Sequence, residues 1–129
     1  MKIADTNVLL GLIVDDRPEH AAFAEAAADA SVEAVTITEV VLAETAWVLG
    51  SVYGVTGRRA ARVLREALAA PGVAVWDRAH AQRALALMEA EPSLGVVDCL
   101  LLERAVASGA ELVSFDRRLT QRAAEYVEL

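Results

Sequence analysis

The sequence predicts an α/β protein, a three-layer α/β/α arrangement around a mainly parallel central sheet. Three observations predict it. Short apolar runs of strand character alternate along the chain with longer amphipathic stretches of helical period. Each run is bounded by turn formers or charge, and a connection long enough for a crossover helix separates most of them. The chain has 129 residues and is 56% hydrophobic, enough to fill one core. Strands that alternate with helices place helices on both faces of the sheet.

In chain order, the first strand is expected at residues 2–5 and leads into a helix over 6–14. A second helix over 18–31 opens on Pro18, which suits a first helical position, after Asp15 and Asp16. A strand at 34–37 precedes a helix over 38–53, where Thr36 and Glu39 resemble a capping box. Gly54 and Gly57 close that helix and a helix over 57–70 follows. Pro71-Gly72 turns the chain into a strand at 73–76, then helices at 78–91 and 95–108, the latter closed by Gly109. A fourth strand is expected at 111–115, a last helix at 117–124, and a weaker strand at 126–128. No linker, repeat or second domain interrupts residues 1–129, so one domain is expected.

The longest uncharged apolar runs fall far short of the ~18 residues of a membrane span. Met1–Val14 loosely imitates a signal peptide, but Asp5 and Asn7 break its apolar body and no small-residue cleavage site follows. Cys99 is the only cysteine, so no intrachain disulfide can form, and a soluble, reducing, cytoplasmic setting is expected. The net charge of −7 argues against nucleic-acid binding. The arginines weaken that objection, because they cluster at Arg58, Arg59, Arg62 and Arg65 and again at Arg117, Arg118 and Arg122. Of the 12 basic residues only Lys2 is a lysine, and arginine suits bidentate phosphate contact. The competing reading of these clusters is a set of solvated helix faces.

Four carboxylates stand out against this background. Asp5 ends the first apolar run, Glu44 interrupts Val40–Val48, Asp98 interrupts Val96–Leu102, and Asp116 ends Leu112–Phe115. A charged carboxylate in apolar surroundings is costly unless something pairs with it. Four sharing one pocket would repel each other and need a cation, and a divalent metal held by oxygen ligands answers that need. Asp5 and Asp116 sit at predicted strand ends, where open α/β sheets bind ligands. Thr6, Asn7 and Ser114 add polar groups at the same edge. Glu44 and Asp98 project from helix faces that are otherwise apolar, whereas Glu39, Glu89, Glu103 and Glu125 read as solvated. The competing readings are a capping role for Asp116 and loop-amide acceptors for Glu44 and Asp98.

Other chemistries lack their residues. No Gly-rich phosphate loop, HExxH, Cys/His zinc spacing or G-x-S-x-G occurs. His20 and His80 read as exposed helix residues. Met88, Phe23, Trp47, Trp76 and Phe115 read as core, and Cys99 as a buried small apolar group.

Together the motifs carry a resemblance. Asp5-Thr6-Asn7-Val8-Leu9-Leu10 resembles the opening of PIN-domain nucleases. Val40–Glu44 with Trp47-Val48-Leu49 looks like that family's second acidic motif, Val97–Leu101 like its third, and Leu112–Leu119 like its fourth. The similarity runs through nearly the whole chain in order, at a length typical of VapC-type ribonuclease toxins. Ser114 stands where the family usually has Thr, Cys99 where Ala is common, and Leu119 where some members carry a further acid. The resemblance implies a metal-dependent ribonuclease, with Asp5, Glu44, Asp98 and Asp116 around Mg²⁺ or Mn²⁺ and Asp5 and Asp98 as the most direct ligands. It also implies a homodimer, and a cognate antitoxin that plugs the acidic pocket. Thr6, Asn7 and Ser114 would support the site, and Arg58, Arg59, Arg62, Arg117 and Arg118 would meet RNA phosphates. The alternatives are a non-toxin RNA-processing PIN nuclease and a catalytically silent PIN-fold binding module. A signalling receiver domain fits poorly, since it wants paired acids after the first strand and a late lysine.

Overall fold

Three of the predicted apolar runs pair as parallel strands. A computed structural model describes residues 1–14, 18–27 and 33–127. In it, β1 (Lys2–Ile3), β2 (Val35–Ile37) and β3 (Val73–Val75) form a sheet of order β1-β2-β3. Lys2 lies opposite Val35 and Ile3 opposite Thr36, while Val35, Thr36 and Ile37 face Val73, Ala74 and Val75. The ladder is lengthened at its ends: Ala4 N–H donates to Thr36 O at 3.0 Å and Trp76 N–H to Ile37 O at 2.9 Å.

Seven helices connect and cover the strands in an α/β/α arrangement: α1 (Thr6–Ile13), α2 (Pro18–Ala27), α3 (Glu39–Tyr53), α4 (Gly57–Leu68), α5 (Arg78–Ala90), α6 (Val96–Ser108) and α7 (Arg117–Val127). Helix α1 packs on α2, α3 and α4, and α5 packs between α4 and α6. Their termini follow local chemistry. Gly109 takes the left-handed conformation (φ +66°), and beyond it Ala110 N–H reaches back to Ala105 O at 2.9 Å, closing the carbonyl end of α6. Gly54 (φ +67°) ends α3 in the same region of backbone space. The core is aliphatic: Leu9, Ile37, Leu42, Leu49, Leu64, Leu85 and Leu102 are each no more than 1% exposed. Met88 and Cys99 are buried with them, as expected.

Several expectations fail for physical reasons. Residues 111–115 form no strand. β1 is only two residues long, so its free edge offers few groups to a fourth strand. The Ser114 hydroxyl instead accepts the Asp116 N–H at 3.0 Å, which turns the chain into α7 and leaves Val113 and Phe115 in solvent. Residues 126–127 continue α7 rather than starting a strand, and residue 128 lies outside the described residues, as do 28–31 of the predicted second helix. Thr38, not a Thr36–Glu39 box, sits at the N-cap of α3, and its side chain makes no capping bond. Trp47, Trp76 and Phe115 are exposed rather than core, and the side chain of Phe23 lies outside the described residues. Neither histidine is an exposed helix residue: His80 is fully buried, and His20 is half-buried with Nδ1 2.8 Å from Val14 O. Glu103 is also buried, with Arg83 Nε 3.4 Å from its carboxylate.

Leu64 on α4 is completely enclosed. Leu64→Ala removes its buried methyl groups and leaves a cavity, so urea unfolding should show a loss of about 2–5 kcal/mol.

Candidate functional site

Parallel pairing puts the carboxyl ends of all three strands along one edge, where α1, α3 and α5 begin. Asp5 is there, as expected. It is the N-cap of α1, with Oδ1 accepting the Val8 N–H at 3.2 Å, and the residue is solvent-exposed. Thr6 and Asn7 open the same helix, Thr6 half-buried and Asn7 exposed.

Glu44 lies in the middle of α3 and faces solvent between Val40, 75% exposed, and Trp47, 69% exposed. Its apolar face is real, but it is uncovered. Asp98 is half-buried in the first turn of α6, where the partial positive charge of a helix N-terminus favours an anion. It lines an apolar groove of about 320 Å³ together with Ala43, Ala46, Trp47, Val96 and Val97, so α3 and α6 form the two walls. Cys99 points into the core from the next position. Burial, helped by the nearby carboxylates of Asp98, Glu91 and Glu103, pushes its thiol up to about 12, which keeps it protonated and inert.

Asp116 does cap a helix: Oδ1 accepts the N–H groups of Arg118 at 3.0 Å and Leu119 at 3.4 Å. Ser114 holds its backbone from two residues earlier. Asp5, Glu44 and Asp98 have no Lys, Arg or His ion partner among the described residues, while Asp116 has only Arg118 at 3.9 Å. Their oxygen donors have the hardness that Mg²⁺ or Mn²⁺ prefers. Their spacing is wide, however: among the described residues no three Asp, Glu, His or Cys side chains are close enough to hold an ion. Carboxylates without a cation repel, and exposed side chains have the rotamer freedom to part.

The arginine cluster on α4 is largely engaged inside the protein. Arg58 Nε donates to Glu89 O at 3.1 Å, Arg62 Nε to Glu89 Oε1 at 3.0 Å, and Arg65 pairs with Glu89 Oε2. The two guanidinium groups hold the Glu89 carboxyl below its ordinary range. Arg59, Arg117 and Arg118 are exposed. A larger groove of about 830 Å³ between α4 and α5 is edged by Arg62, Arg65, Arg78 and Arg83, away from the four acids. Its charges are met internally: Arg78 donates to Leu68 O and Val73 O, and Arg83 lies beside Glu103.

One cluster escaped sequence reasoning. Arg104 on α6 bridges Asp77, at 3.0 Å, and Glu39, and His80 Nε2 lies 3.6 Å from the same Glu39 oxygen. Arg104 and Glu39 are 65 positions apart, so no local pattern links them. The guanidinium holds the Asp77 carboxyl low, and the His80 amide adds to this.

Among the described residues no helix is long and apolar enough to cross a membrane. The model of the family described as PIN domain matches residues 2–125. No curated protein matches the chain.

Arg122 holds the Glu91 carboxyl low, as Arg62 and Arg65 hold Glu89. A depressed carboxyl stabilises the fold above its unfolded value, and the contribution fades as pH drops through the folded one. Melting temperature should therefore decline from about the ordinary glutamate value of 4.5 downward. In a Glu89→Gln/Glu91→Gln variant the deficit seen at pH 7 should shrink across that window. An equal deficit at pH 7 and pH 3 in thermal melts would show that these pairs do not govern the acid limb.

Proposed function

The chain belongs to the PIN domain family, with a nuclease-type fold matched from residue 2 to residue 125, and on that basis we propose that it is a metal-dependent endoribonuclease, the toxin of a toxin–antitoxin pair. One observation carries this reading. The matched region contains three carboxylates, Asp5, Glu44 and Asp98, with no cationic side chain beside them among the described residues.

In this reading Asp5, Asp98 and Glu44 would hold Mg²⁺ or Mn²⁺, with Asp116 as the fourth acid. Such a cation, when bound, lowers the pKa of water and offsets charge on the phosphoryl oxygens. Glu44, mid-helix and open to solvent, orients the attacking water and takes its proton. Asp116 retains one carboxylate oxygen beyond its capping bonds, and with Ser114 and Thr6 it orders water at the site. The Asn7 amide supports Asp5 or meets phosphate. Arg59, Arg117 and Arg118 offer open guanidinium groups to the RNA backbone, with Arg58 and Arg62 released from Glu89 as phosphates compete for them.

The apolar groove ending on Asp98 supports the partner reading. Trp47, Val97 and their neighbours suit an apolar segment, and the carboxylate at the groove's end suits a basic side chain from an antitoxin. The exposed Val40, Trp47, Val97 and Leu101 likewise suit a homodimer contact. We read residues 1–129 as one domain working in the cytoplasm. The second reading, a catalytically silent PIN-fold module, is favoured by the wide spacing of the acids. A nuclease that processes RNA without any toxin role shares the same chemistry.

Protein purified free of partner should cleave RNA only with Mg²⁺ or Mn²⁺ present, and Asp5→Asn should abolish cleavage while melting at or above the wild-type temperature. The ion should stabilise the wild type by about 2.7 kcal/mol at ~100 times its dissociation constant. Wild-type turnover by Asp5→Asn ends the assignment of Asp5, and an inactive protein with no metal-induced shift favours the silent module.

A further inference from the structure

We propose that Arg104 is a positioning residue, a clamp that sets the separation of Glu44 and Asp98; the proposal rests on the nuclease reading above. Arg104 donates through Nη1 to Asp77 Oδ2 at 3.0 Å and through Nη2 to Glu39 Oε1. Glu39 opens α3 directly after β2, Asp77 caps α5 directly after β3, and Arg104 is on α6. One planar guanidinium thus ties three helices together at the sheet edge where Asp5 also sits. Two proposed ligands ride on the tied helices. Glu44 follows Glu39 by five residues, about 7.5 Å of helix axis, and Asp98 precedes Arg104 by six, about 9 Å. Helices are stiff over such lengths, so fixing Glu39 against Arg104 fixes where Glu44 stands relative to Asp98.

Two unfavourable features meet at the same junction. Asp77 has φ +55°, the one non-glycine residue with positive φ among those described, and there its carboxylate serves both the His80 N–H at 3.3 Å and Arg104. His80 is fully buried, and both ring nitrogens lack a hydrogen-bond partner. Left-handed backbone and an unsatisfied buried imidazole each oppose folding, and such features persist where the surrounding structure constrains them for function. Exposed ion pairs contribute little to stability, and Arg104 is 49% exposed, so a purely stabilising role explains the junction poorly.

The test is Mn²⁺ binding by electron paramagnetic resonance on the metal alone, with steady-state cleavage of one RNA and thermal melts in parallel. Arg104→Ala should weaken Mn²⁺ binding about tenfold, as removal of an outer partner of metal ligands does. It should lower kcat with KM for RNA unchanged. Arg104→Lys should not rescue either, since one ammonium cannot span Glu39 and Asp77 together. Glu39→Ala should reproduce the loss, and it carries the test should Arg104→Ala not fold. Variants that melt lower but bind Mn²⁺ and turn over as the wild type does would overturn the clamp and leave the nuclease reading standing. A wild-type protein that binds no Mn²⁺ overturns both.

Discussion

Everything in this molecule depends on parallel pairing of strands too short to stand alone. A two-residue strand beside two three-residue strands supplies few ladder hydrogen bonds, so the sheet persists only because helices cover it. Parallel pairing also forces each strand to return through a helix, and it aligns three strand ends with three helix starts along one edge. Asp5, Glu39 and Asp77 all sit at that edge because of connectivity, not because of anything in their immediate neighbours. The site and the scaffold are therefore consequences of the same constraint.

What was legible in the sequence was whatever depends on local pattern. Alternation of apolar runs and helical periods located β1, β2, β3 and all seven helices, and glycine located the ends of α3 and α6. Asp5 and Asp116 were recognisable because both follow an apolar run and begin a helix, which is where a carboxylate caps. Glu44 and Asp98 were recognisable by contrast with their apolar neighbours, although Glu44 turned out to stand on an uncovered face. The segment at 111–115 misled because its apolar residues have strand character, while pairing depends on the length of a neighbouring edge that periodicity does not encode.

What was illegible depends on partners far away in the chain. Glu39, Glu89 and Glu103 look solvated in sequence because their nearby residues are small or charged, yet Arg104, the Arg62–Arg65 pair and Arg83 meet them across helix interfaces. The same pairings change the meaning of the arginine cluster on α4. What reads as a basic surface is half occupied in holding α4 to α5, so the charge available to a polyanion is smaller than a residue count implies. His80 shows the converse: a lone histidine at a helix start gives no sign that the fold will enclose it.

The aromatic residues carry a practical consequence. Every described one, Tyr53, Trp47, Trp76 and Phe115, is exposed, and the enclosed volume is filled by aliphatic side chains. Indole emission should accordingly sit near that of the free chromophore, and near-ultraviolet dichroism should be weak even in the native state. Intrinsic fluorescence will then be a poor reporter of global unfolding. It will be a sensitive reporter of anything that settles beside Trp47, because a chromophore already in water responds chiefly to what displaces that water.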